Sequence, residues 1–239
     1  MDLIPTTTTT DVSVRAPKIA VLPIGSYEQH GSFLPLATDT IVATAIAAAI
    51  AERYNVLSLP PITISCSHEH AAWPGTVSIS HQTLSAIIDD VRSSLARGGI
   101  TRLALVNGHG GNYVLSNIVQ TANAADPGSM TLFPTRTDWD VARAAAQLET
   151  DGHHDMHAGE LEVSILLHVR PDLVGEGVAD GDHAADDRRM LLVQGMAAYT
   201  RTGVIGRPSA GTAGKGLALL GSLAESFGDH VTIVQDKSG

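Results

Sequence analysis

Hydrophobic positions along this chain fall into two patterns. Short, largely apolar runs, Ile19 to Ile24 and Thr101 to Val106, predict strands buried on both faces. Asn55 to Leu59, halted by Pro60-Pro61, and Met130 to Phe133 are shorter runs of the same kind. Between them, helical length and periodicity appear over Thr40 to Arg53, with Thr38 or Asp39 placed as N-cap, and over His81 to Arg97, which closes on Gly98-Gly99. Asn112 to Ala124 and Asp138 to Glu149 read the same way, followed by His157 to Val169, Arg188 to Thr200 and Lys215 to Phe227. Ile62 to Ser80 is a long loop by composition. Strand and helix alternate, which predicts an α/β fold: a mostly parallel central sheet flanked by helices as a three-layer sandwich. Residues 1–17, with the threonine tract Thr6 to Thr10, read as a mobile lead-in. Neither a repeat nor a linker divides the remainder, so 18–239 is expected to be one domain.

Composition narrows the function classes. A length of 239 residues with 44% hydrophobic and 17% charged residues fits a chain that buries a full core. A formal charge of −10 argues against a nucleic-acid or anionic-membrane surface. The single Cys66 excludes an intrachain disulfide and a thiolate zinc site, and lacking a basic neighbour it reads as an inert buried thiol. No run approaches the roughly 20 apolar residues that span a bilayer, and no secretory leader precedes the first strand. A cytoplasmic location is therefore expected.

Candidate chemistry sits where strands should end. Gly25 to Gly31, with Glu28 and His30, follows the first strand, and Asp39 comes shortly after. Carboxylates and imidazoles concentrated at a strand end point to a metal site. His109, in Asn107-Gly108-His109-Gly110-Gly111-Asn112, follows another strand. That loop fails the dinucleotide fingerprint, since Tyr113 stands at its third glycine position, which lowers a nucleotide-binding oxidoreductase reading. His157 and Glu160 are three apart, the spacing at which a helix presents two groups to one site, one as ligand and one as proton shuttle. Glu162 falls off that face and reads as structural. Ser67 and His70, in Ser67-His68-Glu69-His70, read as substrate-pocket lining.

Four ordered segments together resemble the creatininase (creatinine amidohydrolase) family: Pro23 to Gly31 with Leu34-Pro35 and Thr38-Asp39; Ser67 to His70 with Pro74-Gly75-Thr76; Asn107 to Asn112; and His157 to Glu160. The resemblance implies a binuclear metal-dependent amidohydrolase with two divalent ions (Zn, Mn or Fe), acting through a metal-bridged hydroxide, and a homo-oligomer, in the family a hexamer. It assigns Glu28 and His109 to one metal, His30 to the other, and Asp39 as the bridge. Creatininase supplies a further glutamate at the position of Gly111 and an aromatic substrate contact at Gly110, so creatinine is not the expected substrate. Glu160 is the expected replacement ligand, and His157 the histidine that passes a proton to the departing nitrogen. A small-molecule substrate with a non-peptide or cyclic C–N amide bond is expected first. A deformylase of a formylamino heterocycle, a peptidase of a modified peptide and a non-catalytic metal-binding protein are the alternatives.

Overall fold

Ile19–Ile24 (β1) is buried at every position, as its unbroken apolar sequence requires. In this computed structural model, which describes residues 3–235, β1 lies between Val56–Ser58 (β2) and Arg102–Asn107 (β3), and Met130–Phe133 (β4) completes the sheet. The order is β2-β1-β3-β4 and every pair is parallel, with Ile19 opposite both Val56 and Arg102, and Leu103 opposite Met130. Pro23 is tolerated within β1 because its carbonyl accepts from Ile62 N, so its missing N–H faces the side where β2 has already ended.

Alternate side chains along the strands feed two separate cores. Ile19, Val21, Ala104, Val106 and Phe133 pack with helices Thr38–Arg53 (α2) and Glu160–Val169 (α6), and with the long Ala213–Gln235 helix (α8). Ala20, Leu22, Ile24, Leu103 and Leu105 pack on the other face with His81–Arg97 (α3) and Val114–Ala125 (α4). Two buried faces on one sheet make the expected three-layer α/β sandwich. Arg136–Ala145 (α5) packs on α8.

Several boundaries differ from the sequence reading. Within the lead-in, Thr9–Arg15 forms a short helix (α1), because Thr8 and Asp11 make a capping box that the threonine tract conceals. Arg188 to Thr200 yields only Leu191–Gln194 (α7) and a 3-10 turn at Met196–Ala198. Gly195, at φ 71°, separates the two, and Leu192 and Val193 are exposed, so no buried face sustains a longer helix. Residues 236–239 of the expected domain and Met1-Asp2 of the lead-in lie outside the described residues. Among the described residues no helix is long and apolar enough to cross a membrane.

Candidate metal centre

The carboxyl ends of β1 and β3 open into the loops that carry Glu28, His30 and His109, and the first turn of α2 carries Asp39. Two glycines let these pieces meet. A Cβ on Gly25 would collide with the Thr40 backbone, and a Cβ on Gly108 with the Asp39 carbonyl, so α2 begins pressed against both strand ends. Asp39 is not the N-cap expected of it. The helix starts at Thr38 with no side-chain cap, and the Asp39 carboxylate turns to the imidazoles instead.

Glu28 and His30 are fully buried, and Asp39 and His109 nearly so. His30 Nε2 lies 3.0 Å from Asp39 Oδ1, and His109 Nδ1 lies 3.2 Å from Asp39 Oδ2 and 3.2 Å from Glu28 Oε1. The outer nitrogen of each ring faces a backbone carbonyl, which only accepts. His30 Nδ1 donates to the Glu28 oxygen at 3.1 Å, and His109 Nε2 donates to the Cys66 oxygen at 2.9 Å. Carbonyls that hold the outer N–H are the usual way a ligating histidine is oriented. The inner nitrogens then face carboxylate oxygens, contacts that are favourable only with positive charge between them, whether a proton on the ring or a cation. Glu28 Oε1 and Asp39 Oδ2 are buried without an aligned hydrogen bond, whereas the outer Glu28 Oε2 accepts from Ser26 Oγ at 2.8 Å.

Titration shifts express the same demand. Burial raises Glu28 to about 7, and the neighbouring charge of Asp39 adds to the effect. Burial opposes ionisation of Asp39, but His30 and His109 hold it well below the usual carboxylate range. Burial also opposes protonation of both rings. Asp39 outweighs it at His30, and Glu28 with Asp39 outweighs it at His109, so both are raised well above an ordinary histidine. A pocket that draws protons onto buried imidazoles in this way suits divalent cations, and its mixed O/N donors fit Zn, Mn or Fe.

Three overlapping donor groups lie close enough to hold an ion: Glu28, Asp39 and His109; His30, Asp39 and Glu162; and Glu28, His30 and His157. Asp39 belongs to two of them, with one oxygen towards each imidazole. Glu162, read as structural from the sequence, has Oε1 3.7 Å from His30 Nε2, while Oε2 accepts from Ala158 N at 2.6 Å. Glu160 points elsewhere. It accepts from Glu149 N, Thr150 N and Thr150 Oγ1, and Lys215 Nζ lies 2.6 Å from its Oε1. The i, i+3 spacing puts His157 and Glu160 on one face only if both are helical. In fact α6 starts at Glu160, and its first two amides bond to Asp155.

His157 does reach the cluster. Its Nε2–H donates to the Gln29 carbonyl at 2.7 Å, which leaves Nδ1 3.8 Å from Glu28 Oε1. Burial, with the charge of His30 beside it, pushes His157 down to about 4, so the ring is neutral at pH 7. His70 stacks at 4.4 Å from His157, with Nε2 3.1 Å from Glu28 Oε1, and Gln29 Nε2 donates to its Nδ1 at 2.9 Å. Ser67 is buried with a hydroxyl that has no partner. Gly110 lines a cleft of about 730 Å³ together with His109, Glu162 and Arg136. A second cleft, about 500 Å³, lies by Gly111, Glu69 and Tyr113. The His109 loop thus has a cleft on either side.

A family model described as creatinine amidohydrolase matches residues 5–231. A mycofactocin precursor peptide peptidase of Mycolicibacterium smegmatis is 30% identical over 242 residues, covering 92% of this chain and 87% of the relative. A solved structure described as creatininase with Mn matches with a TM-score of 0.79 at 24% identity, covering 95% of this chain and 96% of that one. A creatininase variant described as Zn-Zn type matches at 0.80 and 23% identity, covering 97% and 98%.

Proposed function

The chain belongs to the creatininase family of amidohydrolases, and from that premise we propose that it is a binuclear metal-dependent hydrolase cleaving a C–N amide bond within a peptide. One observation carries the metal reading: two buried imidazoles, each anchored to a carbonyl through its outer nitrogen, aim their inner nitrogens at the two oxygens of Asp39. Glu28 and His109 would hold one divalent cation, His30 and Glu162 the other, and Asp39 would bridge them. Glu162 takes the place first expected of Glu160, whose carboxylate is engaged by Lys215 and Thr150. When bound, such cations polarise an amide carbonyl and lower the pKa of coordinated water towards neutrality.

His157 is the proton carrier in this reading. With Nε2–H fixed on the Gln29 carbonyl, its free Nδ1 takes up a proton as water attacks and returns it to the departing nitrogen. Ser67 and His70 line the substrate side of the centre, and Gly110 leaves its cleft open. The peptide substrate displaces the cyclic amide expected first, for two reasons. The mycofactocin peptidase resembles nearly the whole chain, and clefts on both sides of the His109 loop suit an extended substrate better than a small ring.

Chelator-treated protein, reloaded with Zn, Mn or Fe, tests the proposal. Two ions per chain by elemental analysis are expected, with hydrolysis of short peptides that the metal-free protein lacks. Undiminished turnover after complete metal removal would overturn it. His157→Gln should retain both ions and lose on the order of 10² or more in kcat, measured on the best peptide of the panel. Full activity in that variant would remove His157 from the chemistry. The hexamer implied by the family is tested by sedimentation of the loaded protein.

A further inference from the structure

The smaller cleft contains a carboxylate, Glu69, that only a histidine approaches among the described residues. Glu69 lies in the 3-10 turn His68–His70, with its side chain 13% exposed. Among the described residues no Lys or Arg stands within ion-pair distance of it. Its neighbour is His109, whose Nε2 is 3.5 Å from Glu69 Oε1 but already donates to the Cys66 carbonyl. Apolar side chains, Ala72, Val114, Leu191 and Leu192 among them, share the walls with His68, His81, Tyr113 and Gln194. Gly111 makes the close approach possible, since a Cβ there would collide with both Glu69 Oε1 and His109 Nε2. A carboxylate oxygen carries more than one acceptor site, so Glu69 can take a further hydrogen bond from a donor that enters the cleft.

We propose that Glu69 receives the nitrogen of the scissile amide, so that the amine side of the substrate lies in this cleft and carries an apolar side chain against Leu191 and Leu192. This deepens the amide-hydrolase reading and rests on it. Charge fixes the orientation. During attack the carbonyl oxygen gains negative charge, and a carboxylate beside it would raise the barrier. The nitrogen gains positive charge as it takes a proton and leaves, and there a carboxylate lowers the barrier. In the reaction the water oxygen bonds to the carbonyl carbon, the C–N bond breaks with its electron pair going to nitrogen, and the proton from water passes through His157 to that nitrogen. Glu69 accepts a hydrogen bond from the N–H throughout and is not consumed. A volume of about 500 Å³ holds a leaving group of one or two residues.

The test compares leucinamide, an ammonium with an isobutyl side chain, with 4-methylpentanamide, which lacks only the amine. Calorimetry on the metal-loaded wild type at pH 7 should show leucinamide binding about tenfold or more tightly, as a hydrogen bond to a charged group predicts. Glu69→Gln should bind the two equally, with metal content unchanged by elemental analysis. Equal binding by the wild type overturns the proposal without recourse to any variant. So does a preference that survives Glu69→Gln, as it would if the amine met the metals instead. Loss of metal in the variant would make Glu69 a support for His109 and overturn the proposal as well. Peptide hydrolysis by the wild type is followed in parallel. Hydrolysis without the ligand preference sinks this assignment alone, whereas preference without hydrolysis sinks the hydrolase reading and with it the leaving-group role.

Discussion

Asp39→Asn is expected to abolish stoichiometric binding of both cations and to reduce kcat/KM by more than roughly 10³-fold. Losing one well-placed electrostatic group typically costs about 10²–10³ in rate, and this carboxylate faces both imidazoles, one oxygen to each. The fold should survive. An Asn amide keeps the shape of the side chain, and without the Asp39 charge the two rings can turn neutral, so that the amide N–H₂ donates to one inner nitrogen and the amide oxygen accepts from the other. Metal titration followed by thermal unfolding reads the effect directly. Wild-type Tm should rise with added cation, by about 2.7 kcal/mol of stabilisation at a hundred times Kd, whereas Asp39→Asn should show no rise. A variant that still binds two ions would displace Asp39 from the bridge.

Glu162→Gln and Glu160→Gln should separate cleanly. Glu162→Gln is expected to bind one ion in place of two and to lose roughly 10²–10³ in rate, with Tm of the metal-free protein close to wild type. Glu160→Gln should keep both ions and near-normal kcat. It should lose about 1.5–3 kcal/mol of stability, because the buried carboxylate bonded by Lys215 and Thr150 becomes a neutral amide. Elemental analysis and urea unfolding of the two variants check the pair. The reverse pattern, ion loss at Glu160 and destabilisation at Glu162, would restore the ligand expected from sequence.

That reversal marks where the sequence stopped being legible. The central strands β1 and β3 could be found because burial on both faces leaves a largely apolar run, and the alternation of strands with helices was enough for a parallel three-layer fold. Glu28, His30, Asp39 and His109 could be grouped because carboxyl ends of neighbouring parallel strands share one rim of the sheet. The start of α6 was not legible. It is set by Asp155 capping its first amides and by a bridge from His157 to Ile205, a contact with a segment far along the chain. With His157 outside the helix, its spacing no longer ties it to the face of Glu160, and Glu162, on the other side of α6, is the carboxylate that reaches His30. Glu69 was hidden for a related reason. Only the folded loops reveal that it stands beside His109, with no Lys or Arg among the described residues in ion-pair distance.

The close seating of α2 against Gly25 and Gly108 has a consequence for how such a protein can change. Asp39 and His109 stand at the margins of regular elements that pack against one another without space for an added methyl group, so the proposed cation cradle has a closely packed base. The walls of the two clefts are built in large part from irregular stretches, residues 66–72, 151–156 and 188–197. Those stretches can be lengthened or rewritten with little strain on the cradle. New leaving groups and new acyl partners can thus be explored on an unaltered reactive core.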